Sequence, residues 1–169
     1  MILISHRGNY DGPNIKLENN PAQITKMIND GFDCEIDVWY INSHFLLGHD
    51  GPVYAVKERF LENNKLWCHA KNMSALEKMI KNKKIHCFWH ENDDFTLTSR
   101  GYIWTSPRKT VCKSSVLVSL GKKIINTSLK CYGVCTDYPK ILKETLSLDD
   151  GVLTQTTSQS SINSGSAIS

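Results

Sequence analysis

The sequence predicts an α/β fold with parallel strands, and two patterns carry that prediction. Short apolar, β-branched runs alternate with segments of helical periodicity, as in repeated β-then-helix units. Polar residues gather where the predicted strands give way to loops, which is where parallel α/β folds build their sites. A full (β/α) barrel usually needs about 200 residues or more, whereas this chain has 169. We therefore expect a shortened barrel with some outer helices missing, chiefly between Asp94 and Ser106.

The predicted strands share apolar, β-branched or aromatic residues and have turn-forming residues at their ends. They cover residues 2–5, 34–41, 45–48, 66–71, 85–89, 95–98, 102–105, 116–118 and 133–136.

Helices are predicted over residues 21–30, 74–81 and 139–146. Asn20 followed by Pro21 is typical of an N-cap with proline at the first helical position. Ser74 and Glu77 stand three residues apart, as in a capping box. The segment 56–63 is either a short helix or an irregular loop.

Composition narrows the classes of protein to consider. A net charge of +3 does not call for nucleic acid, although it would not repel a phosphate-bearing substrate. No apolar run reaches the roughly eighteen residues of a membrane span, and the amino terminus lacks the basic region of a signal peptide, so we expect no stable membrane insertion. The six cysteines include no CxxC pair, which favours reduced thiols and a cytoplasmic location. The sequence leaves the oligomeric state open.

The chain is predicted to divide into an α/β barrel domain, residues 1–148, and a tail, residues 149–169. From Gly151 onward the chain carries no charge and is rich in Ser, Thr and Gln. Because so little apolar material cannot offset the entropy of ordering, we expect the tail to be disordered.

Two carboxylates, Glu35 and Asp37, stand two residues apart in an apolar run. On a strand both side chains project from one face. Two bare acids in a core would repel each other and lose hydration, whereas a hard cation between them removes that objection. The pair therefore indicates either a metal site or the wet face of an exposed strand.

Further polar residues complete a constellation around this pair. His6 and His49 can accept or donate protons at neutral pH. Arg7 can make bidentate contacts to a phosphate, and Lys71 offers a point charge. With a metal ion these groups are the parts of a site that cleaves phosphodiesters. Taken singly, each histidine would more often be a locally hydrogen-bonded loop residue, and Lys71 a solvated lysine.

Four motifs resemble, in order and spacing, the signature of the glycerophosphodiester phosphodiesterase family: His6-Arg7-Gly8, Glu18-Asn19, residues 31–38 and Gly48-His49-Asp50. The similarity is strong over residues 1–51, recurs at 66–72 and 133–139, and is weak between them. Members of that family are TIM-type (β/α) barrels that use a divalent cation to hydrolyse glycerophosphodiesters to glycerol 3-phosphate and an alcohol. The resemblance implies this fold, this activity in lipid metabolism, and a small-molecule phosphodiester substrate.

The resemblance also implies roles for matching residues. The catalytic residues would be His6, His49 and Arg7, and the metal ligands would be Glu35, Asp37 and, at the edge of the ion, Glu18. Lys71 and Arg7 would contact the substrate. Trp104 and Trp89, near predicted strand ends, are candidates for the substrate side, although core packing is the commoner role of tryptophan.

One position departs from the family pattern. Where the family usually has a third carboxylate in a Glu-x-Lys strand, this chain has His69-Ala70-Lys71. The resemblance implies Mg²⁺ or Ca²⁺, whereas an imidazole ligand shifts the preference towards Mn²⁺, Zn²⁺ or similar ions. His69 is the predicted third ligand, with Glu91 as the alternative source of an oxygen.

Two other functions are compatible with the same residues. The site could transfer the phosphoryl group to a neighbouring substrate hydroxyl and leave a cyclic phosphate, as in the family's phospholipase D-like relatives. The histidine at position 69 and the short chain also fit a sugar-phosphate binding module that has lost turnover.

Overall fold

The structure, a computed structural model, describes residues 1–122 and 129–148. The strands are β1 (Ile2–His6), β2 (Asp33–Ile41), β3 (His44–Leu47), β4 (Tyr54–Val56), β5 (Leu66–Ala70), β6 (Cys87–Phe88), β7 (Phe95–Leu97), β8 (Ile103–Thr105), β9 (Ser115–Val118) and β10 (Gly133–Thr136). The helices are α1 (Pro21–Asn29), α2 (Glu58–Leu61), α3 (Met73–Lys81) and α4, residues 139–148.

The strands form one mixed, ten-stranded sheet that curls into a half-barrel. A parallel run has the order β6-β5-β2-β1-β10-β9-β8. The antiparallel strands are β3 and β4, which continue from the end of β2, and β7, which pairs with β8. On the concave side of the sheet the rings of Phe88 on β6 and Trp104 on β8 pack against each other, with centroids 4.6 Å apart.

The prediction of a shortened TIM-type (β/α) barrel is wrong. Such a barrel follows each strand with a helix, whereas the described residues contain four short helices beside ten strands. Residues 89–114 contain two strands and no helix. Parallel strands joined by a packed helix need a crossover of about a dozen residues or more, and the connection from Thr105 to Ser115 is too short for one. Antiparallel strands also enter the sheet, which a (β/α) barrel does not have.

Alternation along β2 sorts its side chains into two layers. Cys34, Ile36 and Val38 pack outwards against α1 and α3 in the larger core. Glu35 and Asp37 face the concave inner side, where they meet side chains of β1 and β5. The inner side is otherwise filled by a second apolar cluster, whose members are Ile4, Trp67, Phe88, Trp104, Val116 and Cys135.

The helix caps are partly as predicted. The side chain of Asn20 accepts hydrogen bonds from the first turn of α1, with Pro21 at its start, which confirms that prediction. The predicted capping box at Ser74 is wrong, because α3 begins one residue earlier and Asn72 caps it by accepting from the Ala75 N–H at 2.9 Å. The spacing of residues along the sequence does not distinguish an N-cap at Asn72 from one at Ser74.

Several predictions fall outside or at the edge of what the structure describes. The tail, residues 149–169, lies outside the described residues, so its disorder and the domain boundary at 148 stay predictions. Among the described helices, none is long and apolar enough to cross a membrane. All six cysteines are free thiols.

Candidate functional site

The candidate site lies at the carboxyl ends of four adjacent parallel strands, β10, β1, β2 and β5. Strand register brings its residues together, because His6 is paired with Glu35 and Asp37 with His69. Asp137 follows directly after β10. The sequence pattern predicted this meeting of strand ends, and the structure places the predicted residues there.

A strained turn after β1 directs Arg7 into the site. Arg7 has a φ of +54° and Gly8 a φ of +83°, and a positive φ is uncommon for a residue with a side chain. The turn is held because the Arg7 N–H donates to the Glu35 carbonyl at 3.0 Å and the Asn19 N–H donates to the Arg7 carbonyl at 2.9 Å.

The Arg7 guanidinium contacts three side chains at once. Nη1 donates to Glu18 at 3.2 Å, and Nη2 lies 3.2 Å from His49 Nε2. Nε lies 3.1 Å from Asp37 Oδ2. Because a guanidinium can only donate, His49 Nε2 must be the accepting, unprotonated nitrogen in this state. The proton of neutral His49 is then on Nδ1, which faces Asp37 Oδ2 at 3.3 Å.

The loop that carries His49 needs a glycine before it. Gly48 has a φ of +152°, and a Cβ at that position would stand 2.0 Å from the Gly51 carbonyl oxygen. The indole N–H of Trp39 donates to the Gly48 carbonyl at 2.7 Å. The backbone conformation that only glycine permits and the hydrogen bond from Trp39 hold this loop so that the His49 side chain lies beside Asp37.

His6 is oriented by a carboxylate. Its Nδ1 lies 2.7 Å from Asp137 Oδ1, so Nδ1 carries the proton and Nε2 faces the cavity, 3.9 Å from Glu35 Oε2. Burial lowers the pKa of His6, but the carboxylates of Asp137 and Glu35 outweigh that effect and raise the pKa above its ordinary value. Asn9 holds the orienting acid by donating to Asp137 at 2.8 Å and to Glu18 at 3.0 Å.

Glu35, Asp37 and His69 form a buried cluster whose ligand atoms all lie within 4.8 Å of one another. His69 Nε2 lies 3.2 Å from the His90 carbonyl, which can only accept, so Nε2 carries the proton of the neutral ring. Nδ1 then presents its lone pair to Asp37 Oδ1 at 3.2 Å and to Glu35 Oε1 at 3.8 Å. A lone pair facing two carboxylates is repelled unless a proton or a metal ion lies between them.

The two acids have opposite electrostatic surroundings. Burial and the neighbouring Asp37 raise the pKa of Glu35. For Asp37, burial acts in the same direction, but the imidazoles of His49 and His69 and the Arg7 guanidinium hold its pKa well below the usual range. Asp37 is further fixed by Asn19, which donates to Oδ2 at 2.9 Å and accepts from the Asp37 N–H at 2.8 Å.

Three buried polar atoms of the site have close partners but no hydrogen bond of good geometry. Within residues 1–122 and 129–148, the buried side-chain atoms in this situation are Arg7 Nε, Asp37 Oδ1 and His49 Nδ1, each of which has a charged or polar group of the site within 3.5 Å. All three belong to this site, whereas buried polar groups are normally paired. Ligands around a small divalent ion stand roughly 3 to 3.5 Å apart, close to the 3.2 and 3.8 Å between His69 Nδ1 and the two acids. Glu35, Asp37 and His69 could therefore hold a metal ion.

The other predicted ligands lie outside that cluster. Glu18 is bonded to Arg7 and Asn9, which places it beside the guanidinium. Glu91 is exposed but lines the same cavity. Lys71 Nζ lies 3.5 Å from Asp37 Oδ1, on the cavity side of the cluster.

A cavity of about 380 Å³ opens in front of these groups. Its charged and polar wall comprises His6, Arg7, Glu35, His49, His69, Lys71, His90, Glu91 and Ser106, and its apolar wall comprises Trp104, Pro107, Val118 and Leu120. Trp104 is 5% exposed and packs in the inner core, and it also borders the cavity, so its contact with a substrate stays a prediction. Trp89 packs against the outer core and does not line the cavity.

The sequence prediction omitted Asn9, Asn19 and His90, which the structure places in the site. Asp137 was expected among the polar residues at the strand ends but was given no role, and the structure pairs it with His6. Asn19 and Asp137 did stand inside the motifs that resemble the phosphodiesterase family, and that was the signal available for them. His90 contributes its carbonyl and a ring that stacks on His69, with centroids 4.5 Å apart. No sequence motif predicts these contacts.

Comparison of the chain with protein-family models, curated proteins and solved structures gave no match. The family resemblance of the motifs stays a prediction. What the site can do follows from its own atoms: a potential metal cluster, two imidazoles and two cations face one cavity.

Proposed function

We propose that the chain is a metal-dependent phosphodiesterase that hydrolyses glycerophosphodiesters to glycerol 3-phosphate and an alcohol. The observation that carries the proposal is the meeting of two oriented imidazoles, two cations and a Glu35–Asp37–His69 cluster around one cavity. The geometry supports phosphodiesters as a class, and the order of the motifs supports glycerol as the alcohol on one side of the phosphate.

Glu35, Asp37 and His69 would hold one divalent cation. Such an ion polarises a phosphoryl oxygen and neutralises charge that develops on it. Asp37 Oδ1 and the lone pair of His69 Nδ1 lie 3.2 Å apart, and a cation between them would relieve their repulsion. Once a phosphate draws Arg7 and Lys71 away from Asp37, the two buried carboxylates would need the ion for their charge balance.

Arg7 and Lys71 would bind the phosphate of the substrate. Both now lie near Asp37, at 3.1 Å for Arg7 Nε and at 3.5 Å for Lys71 Nζ. A phosphate oxygen in the cavity is a stronger partner for a guanidinium than an imidazole nitrogen is. Phosphate binding would thus draw Arg7 Nη2 away from His49 Nε2 and free that nitrogen.

His49 and His6 would then divide the proton transfers. The freed His49 Nε2 takes a proton from a water molecule as its oxygen attacks phosphorus. His6, whose pKa is raised by Asp137 and Glu35, donates the Nε2 proton to the alkoxide that leaves as the phosphorus–oxygen bond breaks. The products are a phosphomonoester and an alcohol, and one histidine has gained the proton that the other has lost.

The test is turnover of a panel of glycerophosphodiesters with added divalent ions, with EDTA, and with His6→Ala and Glu35→Gln. We expect EDTA, His6→Ala and Glu35→Gln each to reduce turnover by about a hundredfold or more. His44→Ala is the matched control, because His44 is an exposed histidine of β3 outside the site. Activity that survives EDTA and His6→Ala together would refute the proposal.

Phosphorus NMR of the products separates the remaining reactions. A linear monoester supports hydrolysis, and a cyclic phosphate would assign transphosphorylation instead. Binding of glycerol 3-phosphate without turnover under any divalent ion would assign a binding module that has lost catalysis.

A further inference from the structure

The positive charge of the chain is concentrated in one segment. Residues 95–136 contain seven lysines and arginines and no aspartate or glutamate, whereas the rest of the chain contains thirteen lysines and arginines and all seventeen aspartates and glutamates. This segment forms β7 to β10 and includes the apolar wall of the cavity. A surface of one charge sign beside a cleft attracts ligands of the opposite sign. None of the seven cations has a role in the proposed function.

Two of the seven, Arg108 and Lys122, follow residues that line the cavity. Pro107 and Leu120 belong to its apolar wall. Arg108 is the residue after Pro107, Lys122 stands two residues after Leu120, and both are exposed. Because β8 and β9 are neighbouring parallel strands, the loops after them leave the sheet side by side, at the edge where the site lies. Arg108 and Lys122 therefore stand at the mouth of the cavity.

The backbone at Arg108 is strained. The Lys109 N–H donates to the Ser106 carbonyl at 3.3 Å, which closes a turn with Pro107 as its second residue and Arg108 as its third. Arg108 has a φ of +65°. A turn with proline second and a positive φ third is type II, in which glycine is the favoured third residue. An arginine in that place points to a role for its side chain.

The other described residues that have a side chain and a positive φ fall into two groups. Asn42 and Ser43 form the tight turn between β2 and β3. Arg7 and Asn19 lie in the candidate site, where each contacts Asp37. Arg108 belongs to neither group, but it shares its residue type with Arg7 and lies at the mouth of the same cavity.

The turn that carries Arg108 is anchored to the loop before β7. Ser106 Oγ donates to the Asp93 carbonyl at 2.7 Å, and the Ser106 N–H donates to the Asp94 carbonyl at 2.9 Å. Lys109 Nζ pairs with the Asp94 carboxylate at 2.8 Å. Among residues 1–122 and 129–148, no carboxylate pairs with Arg108. Its neighbours thus hold the turn, and its guanidinium can bind an anion from outside the chain.

We propose that Arg108 and Lys122 bind a second phosphate group, carried by the alcohol part of the diester. The first phosphate lies at Arg7 and Lys71, and this assignment rests on the proposed function. The alcohol lies along the apolar wall, and its own phosphate reaches the mouth of the cavity. There a guanidinium makes bidentate contacts with the phosphate and the lysine adds a point charge. The substrate class is a glycerophosphodiester whose alcohol is itself phosphorylated.

The experiment compares two diesters, glycerophosphoglycerol and glycerophosphoglycerol with a terminal phosphate. We expect the wild-type KM to be about tenfold lower for the phosphorylated diester. The two kcat values should be similar, because a contact made equally in the ground and transition states changes KM alone. The difference in KM should shrink at high salt. Equal KM values at low salt would overturn the proposal.

Variants locate the preference. Arg108→Gly should abolish most of it without lowering Tm, since glycine is the favoured residue at that place in the turn, and Lys122→Gln should reduce it. Lys113→Gln and Lys130→Gln are the matched controls, because both lysines are exposed in the same segment but precede β9 and β10, at the opposite edge of the sheet. If either control reduces the preference as much as Arg108→Gly, it comes from the overall charge of the segment and the two-residue site is refuted.

A binding measurement separates this proposal from the proposed function. Calorimetric titration of the wild-type chain in EDTA gives the affinity for each diester without turnover. Tighter binding of the phosphorylated diester that Arg108→Gly abolishes, in a chain that hydrolyses neither diester with any divalent ion, would refute the proposed function and support the second phosphate site. Hydrolysis of both diesters with equal affinity would refute the second phosphate site alone.

Discussion

Replacing His69 by glutamate should change which metal ion the site prefers. Wild-type His69 offers a neutral imidazole nitrogen, 3.2 Å from Asp37 Oδ1 and 3.8 Å from Glu35 Oε1. An imidazole ligand favours transition-metal ions over Ca²⁺ and Mg²⁺, Mn²⁺ accepts both nitrogen and carboxylate oxygen, and an all-carboxylate site suits Ca²⁺ and Mg²⁺. Among Mn²⁺, Ca²⁺ and Mg²⁺, we expect the wild-type chain to be stabilised most by Mn²⁺, and His69→Glu to be stabilised most by Ca²⁺.

The magnitudes follow from the geometry. A third carboxylate at these distances would repel each of the other two by roughly 4 kcal/mol at an effective dielectric constant of about 20. The metal-free variant should consequently be less stable at pH 7 and should recover stability as the pH falls and the acids take up protons. An ion at a hundred times its dissociation constant adds about 2.7 kcal/mol, which raises Tm by roughly 5 to 10 °C for a domain of this size.

The assay is thermal unfolding with each ion at matched concentration, with calorimetric titration of the same samples. Mn²⁺ is the better probe than Zn²⁺, because Zn²⁺ also binds cysteine thiols in the unfolded chain and this chain has six of them. His69→Gln, which removes the ligand without adding charge, should lose the response, and His44→Gln should keep it. If Ca²⁺ stabilises the wild-type chain as much as Mn²⁺, or if the response survives His69→Gln, the assignment of His69 as a ligand fails.

Three further predictions test the surroundings of the cluster. Asp137→Asn removes the charge that raises the pKa of His6, so turnover should fall about a hundredfold and the pH limb that His6 controls should move to lower pH; an unshifted profile would contradict the orienting role. Asn19→Ala removes both hydrogen bonds to Asp37 and should lower the free energy of unfolding by roughly 3 kcal/mol in urea titrations, whereas a loss below 1 kcal/mol would show that the pair is dispensable. Burial and the charge of Arg100 lower the pKa of His86 to about 4 in the folded chain. Because the unfolded chain binds that proton near pH 6.5, the contribution of neutral His86 to the free energy of unfolding is complete above that pH and is lost as the pH falls towards 4. Between pH 7 and pH 5 the free energy of unfolding of His86→Phe should therefore fall by about 2 kcal/mol less than that of the wild type.

The residues of the acid pair were predictable because their signal is local. Alternation along residues 34–38 assigns Glu35 and Asp37 to one face and the apolar residues to the other, whatever the fold around them. His69 followed from the same alternation on the next parallel strand, where the register sets it opposite Asp37.

The fold class was not predictable from those signals. Apolar β-type runs between residues 85 and 118 fit parallel strands separated by outer helices as well as they fit a mixed sheet. The two folds differ in whether each connection between strands is long enough for a packed helix. The length of a connection depends on where the strands begin and end, and pairing with neighbouring strands sets those limits, as it does for Cys87–Phe88. Long-range hydrogen bonds escape prediction for the same reason: His6 and Asp137 are 131 residues apart.

The charges of the site should couple the binding of a phosphate to the binding of a metal ion. In the described structure Asp37 is neutralised by Arg7 and Lys71, the same cations that a phosphate would take. Phosphate binding would leave Asp37 and Glu35 without that support, and a metal ion on the cluster would restore it. Each ligand should then strengthen the other, by the same factor in both directions, in the range of about 5- to 150-fold. Calorimetric titration of glycerol 3-phosphate with and without Mn²⁺ measures the coupling, and Lys71→Met should reduce it. Independent binding of the two would mean that the cations and the acids do not share one site.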